Sequence, residues 1–546
     1  MIQTPPLPTP ADTRRVKALT RAVATDLRRH GTPALDQEGM AWMEDHPECL
    51  WPLLDTAVDA STAGQRDEAL IIACRWLLAN QLELIRYRLE RGHDWARSIL
   101  DAYQEKLIAL PQTSTMPRAD WFELVNLLKL AKVPIGPETA EALAQAAADA
   151  NPGEEPSPAE VSRGLRDMLD EIAGSAEDPF MVVEVLADSG ALIPPDMRAY
   201  LTHELGLSSH AVMREAVPLV LLDPELAVRQ AAAAVLEQIA GPETFSPVML
   251  RRTLLVRNWV PATERDAIDR LVRKARVKGV ACAQWAPTPA LAIHGSLVDG
   301  SGAQSLILTT PKGRTGLFAG LLLKQSFGLR DAWCDLSAPR REITRTLKEA
   351  QRQTAWLPVG RDYLDIVVQH HIARGLDRGN LPMAATVAIA EATGAADWKD
   401  RGLDVAAETA RLFAGLDAVA GSEAAITDSL QRSGAWLDED PLLQSWFEDD
   451  AEIRAVVTAK SRAKLATVMR RILEDVLPAR RETWAERLLL LALWLRAGKG
   501  DGTPDERWQD CIVLAHELLA GRGLADLPAM TVIAGRSAFA ALGEPW

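Results

Sequence analysis

A chain of 546 residues with 25% charged and 48% hydrophobic residues is too long for a single core and too apolar for wholesale disorder. Its formal net charge of -15 works against nucleic acid or acidic membranes as whole-surface partners, so any such contact has to rest on a local patch. Five scattered cysteines with no C-x-x-C pair argue against a disulfide framework, and 16 Trp against 8 Phe and 4 Tyr point to large plugs between helices.

Residues 1–12, rich in Pro and Thr, read as a loose arm without the apolar core of a secretion signal. Helical periodicity then predicts helices near 13–30, 38–60, 64–90 and 92–110, and again over Ala119 to Lys132 and Glu138 to Ala150. These make an N-terminal helical domain, 1–150. The Pro, Gly and acidic residues of NPGEEPSPAE, 151–160, predict a linker. No apolar stretch reaches the length of a bilayer, even around Leu488 to Trp494, so no membrane contact and a cytoplasmic location are expected.

Between 161 and 280 short turns marked by Pro or Gly separate successive helical patterns, as helical stacks require. The clearest helix is Asp223 to Ala240, with Asp223 as cap, Pro224 in the first turn, Gly241–Pro242 as the stop and a Glu225–Arg229 pair on one face. Val228, Ala232, Val235 and Ile239 recur on its apolar face, and the alanine run allows a neighbouring helix to come close. Asp223 and Arg229, six apart at the head of this helix, with Pro218 in the helix before it, resemble a HEAT repeat. That resemblance implies stacked helices presenting a binding surface and no chemistry.

The period then changes. ALAIHGSLV (290–298), AQSLILTT (303–310) and TGLFAGLLL (315–323) read as strands separated by the turns DGSG and PKGR, a small antiparallel β meander near 288–325. With a flanking helix over Ala338 to Thr354 it forms a segment 286–355, followed by a C-terminal helical domain, 356–546. The fold class is therefore mainly α, a helical-repeat stack with a small meander.

Chemistry is sparse. The glycine-bearing turns lack the spacing G-x-x-x-x-G-K-[ST] and read as hairpins. His370 and His371 are adjacent and point about 100° apart on a helix, which does not suit one metal ion. His371 continues an apolar stripe as a core residue, and His370 is expected at the surface. His93–Asp94 reads as a helix-capping turn, and no G-x-S-x-G elbow occurs. No cofactor is expected.

Charge supplies the sharper signal. Arg251, Arg252, Arg257, Arg265, Arg270, Arg273, Lys274, Arg276 and Lys278 face only Glu264, Asp266 and Asp269, a local net of +6 against the sign of the whole chain. The segment from Arg454 to Arg481, which includes Arg470 and Arg471, also carries +6. The acidic run Asp438, Glu439, Asp440, Glu448, Asp449 and Asp450 is a possible internal complement to these cations. The leading reading is a non-catalytic scaffold that holds a protein partner on a helical surface. The alternatives are a nucleic-acid-binding subunit using ridges 251–278 and 454–481, and an enzyme with a dispersed site around His370 or His294.

Overall fold

The Thr9 hydroxyl accepts the Asp12 amide and the Asp12 carboxylate accepts the Thr9 amide at 2.7 Å, a reciprocal cap that satisfies two orphan donors. The chain continues as α1 (Pro10–His30), α2 (Gln37–Asp45), α3 (Leu50–Thr62), α4 (Glu68–Glu90), α5 (Asp94–Thr113), α6 (Arg118–Leu130) and α7 (Pro137–Asp149). The computed structural model describes residues 7–91, 93–149, 158–190, 193–287, 289–311, 313–416, 422–439, 443–457, 464–498 and 505–542. The expected helix over 38–60 is in fact two helices. Pro47 opens a single 3-10 turn, Pro47–Cys49, because it has no amide to continue α2.

Two units divide at Pro156–Ser157. The expected linker lies outside the described residues as far as residue 157, and α8 begins at Pro158. In the first unit α4 is the axis, packed by α1, α3, α5 and α6 through Leu77, Leu78 and Leu82, all fully buried. Asp120 is also buried there. Arg66 holds it with two hydrogen bonds of 2.8 and 2.9 Å and Arg75 with a third of 2.7 Å, which keeps its carboxyl below the usual range.

The second unit starts with α8 (Pro158–Ser175), α9 (Pro179–Gly190), α10 (Pro195–Leu207), α11 (Ala211–Val220), α12 (Leu226–Gln238), α13 (Pro247–Val256) and α14 (Ala262–Val277). Here α9, α11 and α13 form one row of neighbours and α10, α12 and α14 the other, a stack of helix pairs. Gly206 of α10 lies against Val235 of α12, where an added Cβ would come within 2.3 Å. Only glycine permits that approach.

A ladder of ion pairs runs along the second row. Arg198, Arg229 and Arg265 each occupy the fourth position of their helix. Arg198 reaches Asp223 at 2.8 Å, Arg229 reaches Glu264 at 2.7 Å, and Arg265 reaches Asp400 at 2.6 Å. The expected Glu225–Arg229 pair is thus replaced, since Arg229 turns to Glu264 and to the carbonyls of Asp223 and Pro224. With those carbonyls taken, α12 begins at Leu226 instead of Asp223.

The meander holds five strands, not three: β1 (Ala292–Ser296), β2 (Ala303–Thr309), β3 (Thr315–Lys324), β4 (Gly328–Pro339) and β5 (Trp356–Val359), all antiparallel in the order β4-β3-β2-β1-β5. Asp299 builds the first turn by accepting the Ser301 and Ala303 amides at 2.8 Å. Both faces of β2 are buried, which explains its continuous apolar run: Leu306 and Leu308 face the main core, while Ile307 meets Phe318, Ala338 and Ile343. Ile343 belongs to α15 (Arg340–Gln353), which covers that second face.

The chain closes with α16 (Arg361–Leu376), α17 (Ala384–Thr393), α18 (Val405–Ala414), α19 (Glu423–Glu439), α20 (Ala451–Val456), α21 (Leu465–Arg471), α22 (Arg481–Ala497), α23 (Arg507–Leu519) and α24 (Pro528–Leu542). The segments 161–280, 286–355 and 356–546, expected as separate domains, share one apolar core that runs from Leu169 to Ala538. Tryptophans bolt it together. The Trp259 indole donates to the Trp398 carbonyl, Trp446 to Val298 and Trp494 to Gly295, at 2.9–3.1 Å.

Candidate partner-binding surface

The basic stretch from Arg251 to Lys278 covers α13 and α14, and its two halves have different fates. Arg251 and Arg252 point inward from α13 and share Glu391 of α17 at 2.8 and 3.0 Å, with Arg252 only 5% exposed. Arg252 also donates to the Glu215 carbonyl and lies over the Phe180 ring. Arg257 grips Asp269 through two bonds of 2.8 Å and holds its carboxyl below the usual range. These three, expected as partner contacts, are internal ties. Arg251 and Arg252 face inward from α13, and their carboxylate lies 139 residues away in sequence for Arg252, whereas the Arg257–Asp269 pair is local and partly exposed.

The C-terminal half of α14 is different. Arg270, Arg273, Arg276 and Lys278 are exposed and Lys274 is half-buried, and no ion pair joins any of them among the described residues. Arg273 donates to the Asp269 carbonyl of its own helix, at 3.3 Å. The nearby carboxylates are spent, Glu264 on Arg229 and Asp269 on Arg257. Val277, 88% exposed, stands among these cations. Cations at a helix C-terminus meet the negative end of the dipole, which helps α14 to form and leaves their outward charge in place.

In the second basic segment four arginines meet nearby acids. Arg480 bonds Glu448, Asp450 and Glu452 at 3.1, 2.7 and 2.5 Å, and Arg454 bonds Asp449 at 2.8 Å. Arg487 adds a bond to Glu448 at 3.2 Å from α22. Arg471 donates to the Val456 carbonyl and pairs with Asp475, while Arg470 pairs with Glu474 one turn on. Bonding to Arg480 keeps the Asp450 carboxyl lowered although burial works the other way. Lys460 and Arg462 lie outside the described residues. Among its described residues, Arg454, Arg470, Arg471 and Arg480 thus each pair with a nearby acid.

His370 and His371 are tied into the core. His370, expected at the surface, is fully buried because α16 is covered by the sheet, by the turn at Trp259 and by α22. Its Nδ1 accepts the Leu403 amide at 3.0 Å, so Nε2 carries the proton and donates to Glu486 at 2.8 Å. Arg374 completes the clamp on Glu486, and the bonds from His370 and Arg374 pull that carboxyl down to about 2 against its burial. His371 is buried beside it, bonds the Val367 carbonyl at 2.7 Å, and is pushed down to about 3 by burial. His294 on β1 is half-buried with an unbonded Nδ1, and burial lowers its pKa.

Leu297, Trp436, Leu443, Leu491 and Trp494 help line a cavity of about 40 Å³, room for a few waters. Among the described residues no helix is long and apolar enough to cross a membrane.

The class this architecture defines is a mainly helical protein in which a stack of helix pairs and a C-terminal helical layer enclose a small antiparallel sheet. Residues 194–279, from the start of α10 to the end of α14, match the family model described as the Y4lR second domain. Residues 406–542, spanning α18 to α24, match the Y4lR C-terminal helical domain. The chain is similar to the uncharacterized protein y4lR of Sinorhizobium fredii (strain NBRC 101917 / NGR234), 25% identical over 367 residues, which is 66% of this chain and 69% of that protein. No solved structure matches.

Proposed function

We propose that this chain is a non-catalytic interaction protein whose outward row α10, α12 and α14 works as a HEAT-like surface and holds an acidic segment of a partner protein. The observation that carries this reading is the cation row at the C-terminal end of α14, with Arg270, Arg273, Arg276 and Lys278 exposed, Lys274 half-buried, and none with a carboxylate partner among the described residues. Val277, exposed within the row, supplies apolar area to a peptide and suits a protein segment better than a phosphate backbone. A nucleic-acid reading calls on the 454–481 stretch as well, where Arg454 and Arg480 are taken up by Glu448, Asp449, Asp450 and Glu452. A cytoplasmic setting belongs to the same proposal.

The test is capture from native extract by the wild-type chain and by the triple variant Arg270→Glu, Arg273→Glu, Lys274→Glu. A stoichiometric protein partner retained by the wild type, weakened by salt and lost in the variant supports the reading. Retention of nucleic acid in place of protein, or a partner held equally by both chains, overturns it.

A further inference from the structure

We propose that Asp12, His46 and Glu48 form a binding site for one zinc-class divalent cation in the N-terminal unit. The three residues come from two segments, the first turn of α1 and the short turn between α2 and α3. His46 Nδ1 lies 3.0 Å from Glu48 Oε1 and 4.0 Å from Asp12 Oδ1, and one ligand atom from each residue falls within 4.8 Å of the others. The indole of Trp42 stacks on the His46 ring, centroids 4.7 Å apart, and sets the direction of the imidazole.

The charge is the reason a cation belongs there. Asp12 and Glu48 are only 8% and 7% exposed, and among the described residues the basic side chain within ion-pair reach of both is the His46 imidazole. Asp12 spends Oδ2 on Thr9, and its Oδ1 faces the imidazole without a bond of ordinary length. Glu48 Oε2 is buried with no hydrogen-bond partner. A buried carboxylate oxygen left unpaired is costly, and a divalent cation bound by Glu48 supplies its missing partner.

The donor set selects the ion. One imidazole nitrogen with two carboxylate oxygens suits zinc or a neighbouring transition ion, whereas magnesium and calcium take all-oxygen sets. Ligand bonds of about 2.0–2.2 Å put neighbouring donor atoms roughly 3–4 Å apart, the spacing of the two pairs measured here. Water completes the coordination beside the half-exposed His46. Bound there, the ion staples the start of α1 to the α2–α3 turn.

The test uses the full chain stripped with chelator and titrated with zinc chloride by calorimetry, alongside His46→Gln and Glu48→Gln. One zinc per chain, at least a tenfold weaker affinity in both variants and no uptake of magnesium chloride are expected. Zinc raises the melting temperature of the wild type alone, while metal-free Glu48→Gln melts no lower than the metal-free wild type because a buried charge has gone. No zinc uptake by the wild type, or equal uptake by all three chains, overturns the site.

Discussion

The stretches 251–278 and 454–481 carry the same net charge of +6, and the fold treats them in opposite ways. In the second, Arg454 and Arg480 meet Glu448, Asp449, Asp450 and Glu452 within a short reach of chain, and Arg470 and Arg471 pair with acids one turn on. In the first, the inward residues Arg251 and Arg252 are paid off by a distant carboxylate, Glu391, while the outward end of α14 has none. Net charge along a sequence thus says little about charge presented to a partner. What matters is which helix face each cation occupies and whether an acid lies within salt-bridge reach.

The comparison can be broken most forcefully at Arg480. Its side chain is 16% exposed and holds three carboxylates, so Arg480→Ala leaves Glu448 and Asp450 crowded. A loss of about 3 kcal/mol is expected in urea unfolding, as for other partly buried ion networks that lose one member. Glu391→Gln should cost less, about 2 kcal/mol by the same measurement, since Arg252 keeps its bond to the Glu215 carbonyl. The triple reversal on α14 should cost least, about 1 kcal/mol, because exposed side chains lose only their favourable place at the helix end. If that variant instead unfolds as readily as Arg480→Ala, the two stretches are alike and α14 is a structural tie.

Much of the helical layout was legible because capping residues, Pro and Gly act locally. Pro137, Pro195 and Pro247 each open a helix, and Gly31 and Gly394 each close one in the left-handed conformation. The ladder also left a trace. Pro194 and Pro261 each stand four residues before the arginine that reaches the next carboxylate, and Pro224 stands five before its own. Strand β4 was not legible, since its polar residues Asp331 and Asp335 interrupt any alternation and only pairing with β3 defines it. His370 was misread for a related reason: a polar residue beside an apolar stripe looks exposed until Glu486, 116 residues on, arrives as its partner.

The amino-acid sequence by itself determined where most helices begin and end, that a small sheet interrupts them, and where cations accumulate. These properties depend on hydrogen bonds, side-chain period and charge within a few residues. Only the tertiary structure decided that one core spans the segments after Ser157, that Arg480 gathers three carboxylates while the cations at the C-terminal end of α14 have none among the described residues, and that Asp12 meets His46 and Glu48. Each of those outcomes depends on the distance between groups remote in sequence, and Coulomb and hydrogen-bond energies act through space, indifferent to how far apart along the chain the partners stand.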